Sequence, residues 1–146
     1  MSSVLFLFLT HLGIGIAGTL LLVDAAAGAK FFRFNAGLAV VCLLTALTFR
    51  PESPSVGSDE VGLLALGVAT LALLIYWATI GRTLARVRPL LLRASVGLGI
   101  TALISQGISV TTFEMGPWSV LTVASFLSSA ALLGGACTAL ILGHWY

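Results

Sequence analysis

VGLLALGVATLALLIYWATI, residues 61–80, runs for twenty positions without a charge or a proline. A helix of that length rises ~30 Å at 1.5 Å per residue, which matches the hydrocarbon core of a bilayer. Windows of about 19 residues pick out four more such stretches, at residues 4–23, 31–49, 90–113 and 118–143. The second is the least apolar, because Arg33 and Asn35 interrupt its start; both are expected to snorkel to the interface. Lipid leaves no partner for an open strand's backbone, so helices are the only option. The apolar/polar alternation of a transmembrane barrel is missing. The expected fold is therefore an all-α, polytopic transmembrane helical bundle of five spans, forming one domain over residues 1–146.

Composition agrees. Charged residues make up 8% of the chain, apolar residues 59%, and the mean hydropathy is +1.14. Soluble domains carry about 25% charged residues, so a water-facing shell cannot be built from this inventory. A net charge of +2 and the absence of a basic run interleaved with aromatics exclude nucleic acid as a partner. Cys42 and Cys137 are distant in sequence and read as small buried hydrophobes.

The connections, at residues 24–30, 50–60, 81–89 and 114–117, are short, which makes successive helices antiparallel neighbours. Pro51 and Pro54 bar a helix through the second of them. Gly116-Pro117 makes the fourth a tight turn, with Pro117 opening the last helix. In the third, Arg82 and Arg86 are read one turn apart on a helical extension that Pro89 ends.

Charge then sets direction. Lys30 and Arg33 flank the first connection, and Arg82, Arg86, Arg88 and Arg93 flank the third. Arg50 stands on the opposite side with Glu52, Asp59, Glu60 and Glu114. The positive-inside rule places the basic side in the cytoplasm, hence the N-terminus outside and the C-terminus inside. A bacterial-type inner membrane is the expected location. Asp24, alone among the basic residues, is expected to pair with Lys30 or with an arginine of the third connection. A cleaved leader ending near Ala25–Ala29 is the weaker alternative, since no positive charge precedes the apolar run.

Helices in lipid associate through small residues and interhelical hydrogen bonds. Ser95, Gly99, Ala102, Gln106 and Ser109 recur at three- and four-residue steps and share a face of the fourth span. Gly15 and Gly18 lie on a stripe with His11. Ala65, Ala69, Ala72, Tyr76 and Thr79 form a third seam, and Thr122, Ser125, Ser129, Gly135, Ala136 and Ala139 mark the fifth span. These seams pack the bundle internally or dock a second protein, and Gln106 reads as interhelical glue.

His11 is the candidate for chemistry. An ionisable group within a membrane span is a functional hypothesis by default, and a histidine there can ligate haem iron or bond a quinone. His144 cannot complete a haem site with it, because the first and fifth spans run the same way and separate the two by ~20–25 Å. No cofactor is predicted, with haem or quinone on His11 as the alternative; no metal site is expected. Arg82, Arg86, Arg88 and Arg93 read as contacts to anionic lipid or an acidic cytoplasmic partner. Trp145 and Tyr146 read as an interfacial anchor.

No phosphate-binding glycine loop, zinc-protease, hydrolase or paired-carboxylate pattern occurs, and no internal repeat suggests inverted transporter symmetry. The sequence thus favours a non-catalytic subunit or accessory component of a larger membrane complex. Its expected partners are membrane lipids and either other subunits or a second copy of the chain. A small-solute transporter or channel component is the first alternative, with Thr122, Ser125, Ser129, Gln106 and Ser109 as a polar path. A redox protein using His11 is the second.

Overall fold

The computed structural model describes residues 2–50, 60–81, 86–111 and 117–145. Among them are five α-helices: α1 (Ser2–Thr19), α2 (Gly28–Thr48), α3 (Glu60–Thr79), α4 (Arg88–Val110) and α5 (Pro117–Trp145). Each is built on a predominantly apolar run, which in lipid has nowhere but its own helix to satisfy its amides and carbonyls. Four of them, α2 to α5, are long and apolar enough to cross a bilayer, which suggests a small multi-span membrane protein.

The first helix departs from expectation. Where the sequence reads a span to residue 23, α1 stops at Thr19. The Leu21 and Leu22 amides donate to the Gly18 and Thr19 carbonyls, at 3.1 and 2.9 Å. These i→i−3 bonds tighten the chain and end the α-helix. The result is an apolar helix below spanning length. Its surroundings compensate: Phe6, Thr10, Ile16 and Ala17 are essentially solvent-free, because α2, α4 and α5 all pack against it. Val4 and Phe8 near its start stay exposed, so the enclosure is strongest from Thr10 to Ala17.

A 3₁₀ turn, Ala25–Ala27, leads into α2. Asp24 does not pair with Lys30. Its carboxylate instead accepts the Ala26 amide at 2.7 Å, capping that turn, and Gly28 takes φ +84°, which a Cβ would oppose. Pro89 also reverses its expected role. It lies in the first turn of α4, where a missing amide hydrogen costs nothing, so it starts that helix and ends none. Thr111 stops α4, its hydroxyl and amide both donating to the Ile108 carbonyl. Pro117 opens α5 as expected. Pro51, Pro54 and Gly116 lie outside the described residues.

Neighbouring helices in the chain pack together throughout, most extensively α3 with α4, and α1 touches α4 across the bundle. Alternation of direction gathers Lys30, Arg33, Arg86, Arg88 and Arg93 at one end, here the basic end, while α1 begins at the other. The most extensive contact between helices distant in sequence is α1 with α5. His11 meets Phe126, Gly15 meets Ala130 and Gly134, and Thr19 meets Thr138. Both numbers rise together, so the two helices are parallel.

Candidate functional site

The α1–α5 contact follows a four-residue rhythm on both partners: His11, Gly15 and Thr19 on one, Phe126, Ala130, Gly134 and Thr138 on the other. Residues four apart lie on one helical face, so each helix offers a continuous strip. At its centre the two backbones touch. A Cβ at Gly15 would fall inside the Ala130 carbonyl, and one at Gly134 would fall inside the Gly15 backbone. Thr19 and Thr138 close the basic side with a 2.7 Å hydroxyl–hydroxyl bond, while the Thr19 hydroxyl also lies 2.8 Å from the Ile16 carbonyl.

His11 begins this strip. Its Nδ1 is 2.6 Å from the Leu7 carbonyl. A carbonyl only accepts, so Nδ1 carries a hydrogen. The ring packs edge-on against Phe126, with centroids 4.8 Å apart, and the residue is 6% exposed. His144 lies eighteen residues beyond Phe126 on α5, or ~27 Å by helix rise, so the two histidines do not face one another. Among the described residues no three His, Cys, Asp or Glu side chains come together. Cys42 is buried, Cys137 half-buried, and both are free.

The face of α4 picked from sequence points inward. Ser95 donates to the Ala69 carbonyl of α3 at 2.9 Å. A Cβ on Gly99 would stand 3.0 Å from an Ile14 methyl of α1, and Ala102 has no exposed surface. Ser109 is half-buried and donates to the Ser105 carbonyl of its own helix. Gln106 is the exception among them. Its side chain is 2% exposed, yet neither the amide nitrogen nor the oxygen has a hydrogen-bond partner. The expectation of interhelical glue is therefore not met by any bond.

Asn35 also differs from expectation. Instead of snorkelling it is fully buried, its amide donating to the Phe31 carbonyl at 3.0 Å while the oxygen has no partner. Several hydroxyls in the helices settle the same way. Thr10, Thr70, Thr79 and Ser128 each donate to a carbonyl three or four residues earlier. Such back-bonding satisfies a hydroxyl in lipid without requiring another helix. Of the polar path considered from sequence, Gln106 faces the core, Ser109, Thr122 and Ser129 are half-buried, and Ser125 is exposed on α5.

The packing builds two grooves among the described residues. One, of about 490 Å³, lies between α1, α4 and α5, and is lined by Gly15, Gly18, Thr19, Ala131 and Gly135 with apolar residues of α4. Gly18 opens onto it with nothing within 4 Å of a Cβ placed there. The other, of about 590 Å³, runs along α2 from Lys30 to Val41 beside Trp77 of α3. Arg86 and Arg93 are exposed and Arg88 is half-buried. Arg82 and Tyr146 lie outside the described residues, as does the side chain of Trp145. The residues missed from sequence are Ala130, Gly134 and Thr138. Their four-residue spacing, matched to His11, Gly15 and Thr19, was the available signal.

The chain matches no protein-family model, no curated protein and no solved structure.

Proposed function

We propose that this protein is a non-catalytic subunit of a larger membrane complex, joined to its partner through α5. The observation that supports this reading is how little of α5 its own bundle uses. In its apolar stretch 17% of residues are buried, against 39–44% in those of α2, α3 and α4. Leu121, Leu132 and Leu140 are exposed and bulky, but one strip of the outer surface is made of small residues. Ala124, Ser128, Ala131, Gly135 and Ala139 follow at three- and four-residue steps, and all but the half-buried Gly135 are exposed. Small residues on one face let a second helix approach closely enough for dispersion to hold it. The face also continues into the groove beside Gly18, so a partner helix could seat along both. The transport and redox readings gain less support, since Gln106 and Ser125 face apart and His11 is engaged with Leu7 and Phe126.

Ser128→Cys, placed in a Cys137→Ala background, should crosslink in native membranes to one other membrane protein. That protein should co-purify stoichiometrically in mild detergent, and Ala131→Leu should release it while leaving the monomer folded. Crosslinking only to a second copy, or none with the wild-type chain purifying alone, would refute the subunit reading.

The basic end is proposed as cytoplasmic, on the strength of Lys30, Arg33, Arg86, Arg88 and Arg93 gathered there. Accessibility tags inserted at Ser55 and at Val87 should then report periplasm and cytoplasm respectively. The reverse assignment would invert the topology, and a common compartment would remove the odd number of crossings.

A further inference from the structure

We propose that the groove between α2 and α3 is a binding site for one anionic glycerophospholipid, with Lys30 and Arg33 holding the phosphate and the α2 surface holding an acyl chain. The inference rests on membrane integration and is independent of any partner at α5.

Charge and shape are arranged in the order such a lipid requires. Lys30 and Arg33 occupy the head of the groove, both exposed. No carboxylate among the described residues pairs with either: Asp24, the nearest in sequence, is turned to the Ala26 amide. Two cations without a counter-charge at a membrane boundary attract phosphate, and the attraction falls off only over a Debye length. Below them the lining is apolar, through Phe34, Leu38 and Val41. From Lys30 to Val41 is eleven residues, or ~16 Å along the helix, close to half of the ~30 Å hydrocarbon core. The groove therefore begins at headgroup level and ends near the midplane, the depth that one acyl chain occupies. Its volume of about 590 Å³ falls within the roughly 300–1,000 Å³ range of ligand sites.

The groove exists because of one small residue. Trp77 packs closely against Gly37, where an added Cβ would stand 2.8 Å from the indole nitrogen and 3.3 Å from the adjacent ring carbon. The ring thus forms a wall, and the Arg33 guanidinium sits 5.8 Å from its centroid. That cation–π contact holds Arg33 at the head of the groove instead of leaving it to extend into water. A free phosphate would use the cations but not the apolar wall below, so the lipid is the occupant that uses the whole site.

The test is fluorescence of Trp77 alone, in the Trp118→Phe, Trp145→Phe protein reconstituted in phosphatidylcholine vesicles. Brominated phosphatidylglycerol should quench Trp77 at lower mole fraction than brominated phosphatidylcholine. Lys30→Gln and Arg33→Gln should each reduce that preference about fivefold, the worth of one juxtamembrane cation. Arg86→Gln with Arg93→Gln, on α4, should leave it unchanged. Inorganic phosphate should do no more than chloride at equal ionic strength. Equal quenching by the two lipids, a preference that survives loss of both Lys30 and Arg33, or an equal fall in the α4 variant would overturn the site. Displacement by inorganic phosphate beyond the chloride effect would also overturn it, in favour of a bare anion site.

Discussion

Gly134→Leu will prevent the bundle from closing, and Gly15→Leu will do the same from the opposite side. At this crossing there is no side chain to move aside. The atoms met by a new Cβ are the backbone carbonyl and carbon of Ala130 and the backbone of Gly15 itself. Overpacking a core that can shift costs about 1–3 kcal/mol, and contact with backbone on both helices puts these variants at or beyond the upper end. Even alanine should be poorly tolerated at either position. The loss falls on α1 first, because α1 is short and depends on its neighbours for burial. Thermal unfolding of purified protein in detergent should show a fall of many degrees or no cooperative transition. Gly143→Leu, where a Cβ meets nothing within 4 Å, is the control and should behave like wild type. A native transition in Gly134→Leu would mean that the α1–α5 crossing is wider than described.

Gln106→Met should have the opposite sign. The glutamine amide is buried to 2% exposure with neither polar atom bonded. A buried donor or acceptor without a partner forfeits about 1–3 kcal/mol. Methionine has nearly the same length and volume and leaves nothing unsatisfied, so the variant should be more stable by about that amount. Gln106→Ala removes the same amide but opens a cavity, and the two effects should largely cancel. Equilibrium unfolding in mixed micelles distinguishes these outcomes. Destabilisation by methionine would show that the amide is bonded in the membrane, to water or to a bound group.

The fold was legible to the degree that it depends on hydropathy. Residues 61–80 become α3 (Glu60–Thr79) almost to the residue, and α2, α4 and α5 are likewise recovered within a few positions. What was not legible depends on which side each helix turns. On α4 a single stripe, Ser95 to Gln106, stands out against bulkier neighbours and does face inward. On α5 two small-residue stripes wind round one helix, and composition alone does not say which meets α1. Ser125, Ala136 and Ala139 read as packing residues, yet they are exposed, while Ala130, Gly134 and Thr138 make the contact. The end of α1 was missed for a similar reason. Leu20, Leu21, Leu22 and Val23 are as apolar as any helix interior, and only the 3₁₀ bonds reveal the stop. His11 was found readily, being the one ionisable group inside its run, but its engagement with Leu7 and Phe126 could not be foreseen from spacing.

The partnership of α1 with α5 has a consequence for biogenesis. The ribosome delivers α1 first and α5 after all the others, so the glycine strip at the heart of the molecule is made long before its counterpart. Gly15 and His11 are thus made before any residue of α5 is there to cover them. Synthesis halted before residue 130 would leave that strip uncovered, open to capture by whatever other helix passes.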